Sequence, residues 1–299
     1  MRYRSLNDAL REQFGEKVYK LALDGGFTCP TRDGTLDTRG CIFCAGGSGS
    51  FAEPVGTDVH ATIERAKTHV ADKGAKKFIA YYQSYTGTYA PLDRLRALYT
   101  ETLAHPDVVA LSIGTRPDCL PDEVIALLRE LNSVKPVWVE LGLQTVHEAT
   151  ADYIRRGYPL HDFDDAVRRL REAGIAVIVH MILGLPGETP EMMAETARYI
   201  GQSGAEGIKF QLLHVLAGTD LAEDYRKGRF AVMTIEEYIR VLELCVEAIP
   251  ADMVIHRLTG DGAKRELIAP LWSADKKRVL HAINLAFDRD DVTQGKCAN

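Results

Sequence analysis

The chain has 299 residues, of which 46% are hydrophobic and 26% are charged, and its net charge at pH 7 is −6. This length suits one large globular domain or two small ones, and the acidic balance argues against broad non-specific nucleic-acid binding, which needs many cationic contacts to phosphate. A local basic patch stays open, with residues 264–265 and 276–278 as candidates. The N-terminus is polar and no apolar run reaches the ~20 residues of a membrane span, so we expect a cytoplasmic protein with no membrane partner.

Short apolar runs alternate with amphipathic helical patterns along most of the chain. In chain order the sequence predicts a strand at 17–23, a helix at 58–73, a strand at 76–83, a helix at 91–104, a strand at 108–114, a helix at 122–131, a strand at 137–143, helices at 148–156 and 162–173, a strand within 175–188, a helix at 191–201 and a strand at 207–213. Apolar strands that alternate with helices indicate a parallel sheet covered by helices. Six such units make either a doubly wound open sheet or a partial barrel, and both place the chemistry at the carboxyl ends of the strands.

Two more helices are predicted beyond these units, at 235–248 and 274–287. We interpret residues 216–299 as a helical C-terminal extension that packs on a core barrel at about 17–215. The whole chain, 1–299, is then expected to form a single α/β domain.

The loop after the first predicted strand contains Cys29, Cys41 and Cys44 in the spacing C-x11-C-x2-C. A structural zinc site normally needs four ligands, and the loop offers no fourth cysteine or histidine. A redox pair of Cys41 and Cys44 leaves Cys29 unexplained. A third interpretation is an iron–sulfur cluster held at three corners, whose open iron is chelated by the amino and carboxylate groups of S-adenosylmethionine (SAM). The spacing favours this last interpretation but leaves all three open.

The segments around the cysteines are more specific. They are GGFTCPTRDGT, YYQSYTGTYAPL, SIGTRPDCLP, ELGLQT, HMILGLPGET, GIKFQLLHVLAGT and HRLTGDG. On these segments nearly the whole chain resembles the radical SAM superfamily, in particular a bacterial branch related to the radical domain of the Elongator catalytic subunit. The first cysteine gap of eleven residues departs from the superfamily's usual three and narrows the match to that branch. The resemblance implies a partial (β/α)6 barrel, a [4Fe-4S] cluster bound by Cys29, Cys41 and Cys44, and SAM as cofactor.

The resemblance also implies which residues contact the cofactor. They are Phe43 before the third cysteine, Tyr85 and Thr86 after the second strand, Gln144 at the end of the fourth strand, Arg156 twelve positions later, and His180 in the fifth strand. Two departures weaken the set: the usual Gly-Gly-Glu after the second strand is absent, and Gly114 stands where some relatives have an acidic residue. Two of these residues also have a purely structural interpretation. A lone histidine in an apolar strand, such as His180, is usually a hydrogen-bonded core residue, and Arg156 could be the solvated end of a helix.

Side-chain parity adds two catalytic candidates. Glu140 lies on the same face of the fourth strand as Gln144, and Lys209 lies on the same face of the sixth strand as Gln211. The outer face of each strand meets the helix layer, where an unpaired charge is unfavourable. We therefore expect Glu140 and Lys209 in the pocket.

The resemblance implies an enzyme that cleaves SAM reductively to a 5′-deoxyadenosyl radical and modifies a uridine side chain at the tRNA wobble position. Conversion of a carboxymethylaminomethyl group toward aminomethyl is the single best hypothesis, with Lys209, Arg116 or Lys20 holding the carboxylate. The implied partners are tRNA, met by the basic C-terminal residues, and an electron donor such as flavodoxin or ferredoxin. Two alternatives stay open: a radical SAM enzyme acting on a small metabolite or peptide, and a non-catalytic zinc-binding module that recognises RNA.

Overall fold

The computed structural model describes residues 2–46, 52–260 and 265–298. Lys264, one of the predicted basic-patch residues, lies outside these ranges. Within them, every helix is too short or too polar to cross a bilayer.

Eight strands form one sheet in which all neighbours are parallel, and two short strands form a separate antiparallel pair. The strands are β1 (Val18–Asp24), β2 (Glu53–Pro54), β3 (Lys77–Tyr82), β4 (Val108–Thr115), β5 (Val137–Gln144), β6 (Ala176–Leu183), β7 (Gly207–Leu212), β8 (Val215–Leu216), β9 (Val254–Arg257) and β10 (Leu267–Ala269). The large sheet has the order β2-β1-β3-β4-β5-β6-β7-β9, and β8 pairs with β10. The sheet is open between β2 and β9, so the predicted parallel partial barrel is confirmed.

The predicted helices are all present, with boundaries shifted by a few residues. The helices are α1 (Leu6–Phe14), α2 (Val59–Thr68), α3 (Leu92–Ala104), α4 (Asp122–Asn132), α5 (Glu148–Tyr153), α6 (Leu160–Glu172), α7 (Pro190–Gln202), α8 (Asp220–Arg226), α9 (Ile235–Ala248) and α10 (Lys276–Arg289). The sequence prediction missed α1 and α8, and it ran α2 on to residue 73, where the chain instead forms a 3-10 turn at Ala71–Lys73.

Alternate residues of each central strand face opposite sides of the sheet. One side packs under the helices in a continuous apolar core that includes Leu21, Val139 and Val179. The other side faces the barrel interior, where Trp138 and Ile178 pack against Leu10 of α1. Because α1 covers the amino ends of the strands, the barrel has a closed base and opens at the carboxyl ends.

The C-terminal extension contributes directly to the sheet. Val254 and Ile255 of β9 pair with Gly207 and Ile208 of β7, and the amide of Ile255 also donates to the Arg4 carbonyl over 2.9 Å. Strand β9 was not predicted from the sequence. The single-domain organisation with a boundary near residue 216 stays a prediction.

Candidate active site

The loop that follows β1 carries the three clustered cysteines and folds back on itself. The amide of Cys44 donates to the Cys41 carbonyl over 3.0 Å, which forms a tight turn. The amide of Gly40 donates to the Thr31 carbonyl over 2.7 Å, which returns the chain to the neighbourhood of Cys29. All three cysteines are partly buried free thiols. They lie together at the carboxyl end of β1.

The three thiols share one electrostatic environment. The pKa of the Cys41 thiol is raised to about 12, chiefly by burial and next by the nearby Cys44 thiol. Cys29 acts in the same direction, whereas the guanidinium groups of Arg116 and Arg32 oppose it. Since the thiolate is the form that binds metal, Cys41 becomes a ligand only when a metal centre offsets its buried charge.

The number of clustered thiols bears on what they bind. Three sulfurs from one loop are one fewer than the four ligands of a structural zinc ion, and they suit a cluster in which each cysteine binds a different iron.

A group with single-ion spacing does exist elsewhere, but it already contains a cation. The ligand atoms of Glu64, His105 and Asp107 lie within 4.8 Å of one another. The Lys67 ammonium lies 2.8 Å from the Glu64 carboxylate and 2.7 Å from that of Asp107. His105 Nδ1 accepts a hydrogen bond from the Asp107 amide over 3.1 Å, so its Nε2 carries the ring proton and faces Glu64 as a donor. We therefore assign this group to fold stability.

Buried polar atoms without a partner lie at the carboxyl ends of β3 and β5. Among the described residues, Ser84 Oγ, Thr86 Oγ1 and Gln144 Oε1 are buried and accept no hydrogen bond from the protein. The Thr86 amide donates to the Thr28 carbonyl over 3.2 Å, so this edge adjoins the cysteine loop. Buried polar atoms are unfavourable unless something pairs with them. These residues therefore fit a bound cofactor with several polar groups, as SAM has.

Two predicted cofactor residues have strained backbones at this edge. Tyr85 has φ 57° and Gln144 has φ 70°, a region that residues other than glycine rarely occupy. Gly142 of β5 lies on the same face of the strand as Gln144. A Cβ atom at Gly142 would lie 2.7 Å from Gln144 Nε2, so a larger residue would displace that side chain. Such strain persists where the surroundings fix the conformation, and it concentrates at functional sites.

One layer below the open edge, Glu140 is the centre of a polar cluster inside the barrel. Its Oε1 accepts from Lys20 Nζ over 2.6 Å and from Ser112 Oγ over 2.7 Å. Its Oε2 accepts from His180 over 2.7 Å and from Lys209 Nζ. The cluster joins side chains from five strands, β1, β4, β5, β6 and β7, and the predicted inward parity of Glu140 and Lys209 is therefore what the structure shows.

The hydrogen bonds of Glu140 leave it no free lone pair. A carboxylate has about four acceptor positions, and four donors already use them. The pKa of Glu140 is held well below its usual range: burial alone would raise it, but Lys20 and Lys209 outweigh that effect. An ionised, saturated carboxylate is a poor general base, so Glu140 acts as a positioning residue, and its predicted catalytic role remains untested.

The pKa values of two basic members of the cluster, His180 and Lys209, are also lowered, which favours their neutral forms. Burial lowers the pKa of His180 to about 4, and the neighbouring Lys209 also lowers it, so the ring is neutral at pH 7. His180 Nε2 therefore donates to Glu140, while Nδ1 accepts from Gln211 Nε2 over 3.1 Å. Burial also lowers the pKa of Lys209. Two lysine amines thus share one carboxylate in the closed part of the barrel.

Comparison with known families gives the chemistry of this site. Residues 38–200 match the radical SAM superfamily, and residues 205–289 match the radical SAM C-terminal domain. The chain belongs to the radical SAM superfamily. Members of this superfamily are enzymes that use SAM and a [4Fe-4S] cluster, so the predicted enzyme class is confirmed and the interpretation as a non-catalytic zinc module is wrong.

Individual relatives place this radical SAM protein more narrowly. It is 46% identical over 297 residues to YtqA of Bacillus subtilis (strain 168), with 99% of this chain and 92% of the relative covered. It is 28% identical over 164 residues to a tRNA uridine(34) acetyltransferase of Methanocaldococcus jannaschii, which covers 54% of this chain and 30% of that protein. The structure of Methanocaldococcus infernus Elp3 with an N-terminal deletion superposes with a TM-score of 0.72 at 18% identity, covering 93% of this chain and 64% of that one. The last comparison shows a shared fold.

Arg156, which the radical SAM resemblance assigned to the cofactor, makes hydrogen bonds around the turn that follows Gln144. Its side chain is 2% exposed. It donates to the Thr145 carbonyl over 2.7 Å, to the Tyr158 carbonyl over 3.0 Å and to the Glu148 carboxylate over 3.1 Å. These bonds fix the turn that carries Gln144. Arg156 is thus a positioning residue in this structure, and its direct contact with the cofactor stays a prediction.

The three predicted holders of a substrate carboxylate differ in their free donors. Arg116 donates to Asp118 over 2.9 and 2.7 Å and to the Arg156 carbonyl over 2.8 Å, so its guanidinium is engaged. Lys209 donates to Glu140 and, over 3.2 Å, to the Tyr81 hydroxyl. In the described hydrogen bonds, Lys20 donates to Glu140 alone, and its side chain is 17% exposed. Lys20 therefore has the most donors available to a ligand.

Phe43 was predicted to contact the cofactor, whereas Ser112 was found only in the structure. Phe43 packs against a small apolar cluster that includes Ile154 and Leu185, at the rim of the barrel. Ser112 was not predicted to belong to the site. The signal for it was present, since Ser112 is a polar residue within the otherwise apolar run at 108–114 and has the inward parity of Gly114.

A separate cleft of about 980 Å³ lies beside the cysteine loop, outside the barrel. Its lining includes Thr28, Thr88, Arg94, Cys119 and Arg169 but none of the three loop cysteines. The interior cluster around Glu140 and the cofactor edge are therefore distinct from this cleft.

Proposed function

We propose that this radical SAM enzyme acts on the side chain of a modified uridine at the tRNA wobble position, removing the carboxymethyl part of a carboxymethylaminomethyl group to leave aminomethyl. The observation that carries the substrate assignment is the pair of lysines, Lys20 and Lys209, that face the single carboxylate of Glu140 inside the barrel. Two ammonium groups and one carboxylate leave one positive charge unbalanced inside the barrel. One further anion would give each ammonium group a counter-charge.

Different residues bind the cofactor and the substrate. When bound, the cluster and SAM would supply a 5′-deoxyadenosyl radical that takes a hydrogen atom, and with it one electron, from the carboxymethyl carbon next to the amine nitrogen. The oxidised cluster would accept the second electron, and hydrolysis of the resulting imine by water would release the two carbons as glyoxylate and leave aminomethyl. Cys29, Cys41 and Cys44 hold the cluster, and Thr86 and Gln144 offer their unpaired oxygens to the polar groups of SAM. Helix α1 closes the base of the barrel and keeps water from the reacting atoms.

The substrate end of the cavity is organised by hydrogen bonds. Lys20 binds the carboxylate of the substrate, and Glu140 fixes the position of the Lys20 ammonium over 2.6 Å. Neutral His180 presents its Nε2 proton to Glu140 and is oriented through Nδ1 by Gln211. This preorganisation means that little side-chain rearrangement accompanies binding.

Two features support tRNA as the macromolecular partner. The similarity to a tRNA uridine(34) acetyltransferase covers more than half of this chain. Lys276, Lys277 and Arg278 form an exposed basic run at the start of α10, suited to phosphate contacts. The enzyme also needs an external one-electron donor, for which we propose a small electron-transfer protein such as flavodoxin or ferredoxin.

The cellular test compares tRNA nucleosides from cells with and without the protein by mass spectrometry. We expect the carboxymethylaminomethyl uridine to accumulate, and the aminomethyl form to be lost, in cells without the protein. Re-expression of the wild-type chain restores the profile, whereas a Lys20→Met chain does not. An unchanged nucleoside profile contradicts the tRNA assignment and favours a small metabolite or peptide substrate.

The test in vitro uses protein reconstituted anaerobically with iron and sulfide. We expect about four irons per chain, as one [4Fe-4S] cluster requires, and formation of 5′-deoxyadenosine from SAM. Cys41→Ala abolishes both, and Cys297→Ala, which removes an exposed cysteine far from the loop, serves as the matched control. Retention of the cluster signal in Cys41→Ala argues against the ligand assignment.

A further inference from the structure

Arg32 lies inside the eleven-residue gap that separates Cys29 from Cys41. The gap is a compact loop: the amide of Arg32 donates to the Cys29 carbonyl over 2.8 Å, and the amide of Leu36 donates to the Pro30 carbonyl over 2.7 Å. The side chain of Arg32 then crosses the loop, and its Nη2 donates to the Cys44 carbonyl over 2.5 Å. The longer gap therefore brings a guanidinium to the backbone of the third cysteine.

Gly40 makes this crossing possible. Its φ is 72°, which disfavours any other residue, and a Cβ atom there would lie 2.7 Å from Arg32 Nε and 2.9 Å from Cζ. The guanidinium passes through the space that the missing side chain leaves. On its other side it lies over the ring of Tyr85, 6.0 Å from the ring centre. Arg32 thus stands between a cluster ligand and the strained residue of the cofactor edge.

In the part of the chain that the structure describes, no carboxylate balances the charge of Arg32. Arg116, the other cation near the cysteines, lies 2.7 Å from Asp118, and Arg39 of the same loop lies 2.6 Å from Asp220. No ion pair among the described residues includes Arg32. An unbalanced, partly buried cation next to thiolate ligands stabilises whichever state of the metal centre is more negative.

We propose that the lengthened loop serves to place the Arg32 guanidinium against the iron–sulfur site, where its charge favours one-electron reduction of the cluster. The reduced cluster carries one more negative charge than the oxidised one, and the guanidinium stabilises it more. The inference rests on the ligand role of Cys29, Cys41 and Cys44 and does not depend on the substrate. Arg32 is a positioning residue for the loop and an electrostatic one for the cluster.

The test is a reductive titration of the full-length reconstituted protein without SAM, followed by electron paramagnetic resonance of the reduced cluster. In Arg32→Gln we expect the ratio of reduced to oxidised cluster at a fixed potential to fall about tenfold, which is about 59 mV for one electron. Arg32→Lys keeps the charge and retains most of the wild-type ratio. Arg39→Gln, an exposed change in the same loop, leaves the ratio unchanged.

Two results overturn the proposal. One is a wild-type midpoint potential in Arg32→Gln, and the other is an equal shift in Arg32→Gln and Arg32→Lys, which would mean that packing rather than charge matters. If Arg32→Gln does not retain its cluster, Gly40→Ala decides, since it displaces the guanidinium without removing it. We expect its midpoint potential to lie below that of the wild type, and a wild-type value refutes the proposal. An unchanged tRNA nucleoside profile leaves this measurement unaffected, so the two failures are distinguishable.

Discussion

Replacement of Glu140 by glutamine tests the interior cluster most directly. The wild-type carboxylate has no exposed side-chain surface and accepts four hydrogen bonds, two of them from the lysines Lys20 and Lys209. The amide of Glu140→Gln keeps the shape but has one oxygen and one NH2 group. Its nitrogen must face two donors, and both ammonium groups lose their counter-charge.

The expected loss of stability follows from these contacts. Removing one partner of a buried ion pair typically costs about 3–5 kcal/mol, because an uncompensated charge remains in the interior. We expect a loss of that order in the free energy of unfolding of Glu140→Gln, measured by urea denaturation of the iron-free protein. Adding Lys209→Met to Glu140→Gln removes one of the stranded cations, so the double variant should recover about 1–3 kcal/mol, a usual coupling energy for neighbours.

The control is Glu130→Gln, which removes the same charge from an exposed pair with Arg96. Exposed pairs contribute little to stability because water screens both charges. If Glu140→Gln loses no more stability than Glu130→Gln, the interior carboxylate does not hold the cluster together. Additive effects of Glu140→Gln and Lys209→Met would also refute the shared counter-charge.

The other predictions concern the substrate, the closed base and pH. Lys20→Met should raise the KM for substrate tRNA at least tenfold and leave iron content and 5′-deoxyadenosine formation without substrate unchanged; an unchanged KM, or a loss confined to iron content, contradicts the carboxylate contact. Leu10→Ala should lower the free energy of unfolding by about 2–5 kcal/mol, the usual range for a buried leucine, and the exposed Leu285→Ala is its control. The pKa of His180 is lowered to about 4 from 6.5, so folded His180 is neutral where unfolded His180 is protonated, and stability falls as the pH drops from 6.5 to 4. His180→Gln should flatten that part of the curve of urea midpoint against pH; an unchanged curve assigns the acid sensitivity to other groups.

Sequence patterns predicted the parts of the fold that depend on local spacing. The central strands are short and mainly apolar runs, and this pattern distinguishes them from the amphipathic helices. Side-chain parity, together with the expected layer of helices outside the sheet, put Glu140 and Lys209 on inward faces. Helix α1 and strand β9 were missed because their partners are distant: α1 packs on the base of a barrel, and β9 pairs with a strand about fifty residues earlier.

The hydrogen-bonded geometry of the site was beyond local patterns. Lys20 of β1 reaches Glu140 of β5 although β3 and β4 lie between them in the sheet, and only the curvature of the barrel brings the two together. The same holds for Arg156, whose partners are the Thr145 and Tyr158 carbonyls and the Glu148 carboxylate. Lys20, Lys209 and Arg116 were all predicted to bind the substrate carboxylate. Choosing among them likewise required knowing which of their N–H groups already donate hydrogen bonds within the protein.

The base of the barrel joins distant parts of the chain, since Ser5 bridges Ile255 and the amide of Gln294 donates to the Arg2 carbonyl over 3.0 Å. Contacts this far apart in sequence form late in folding, because closing a long loop costs entropy before the contacts repay it. During synthesis, the base of the barrel therefore cannot close until almost the entire chain has been made. We expect ribosome-bound chains that end before β9 to be cleaved readily by protease near α1, and protection of those shorter chains would show that the base closes without the C-terminal strand. Iron insertion into the cysteine loop would then meet a barrel still open at both ends.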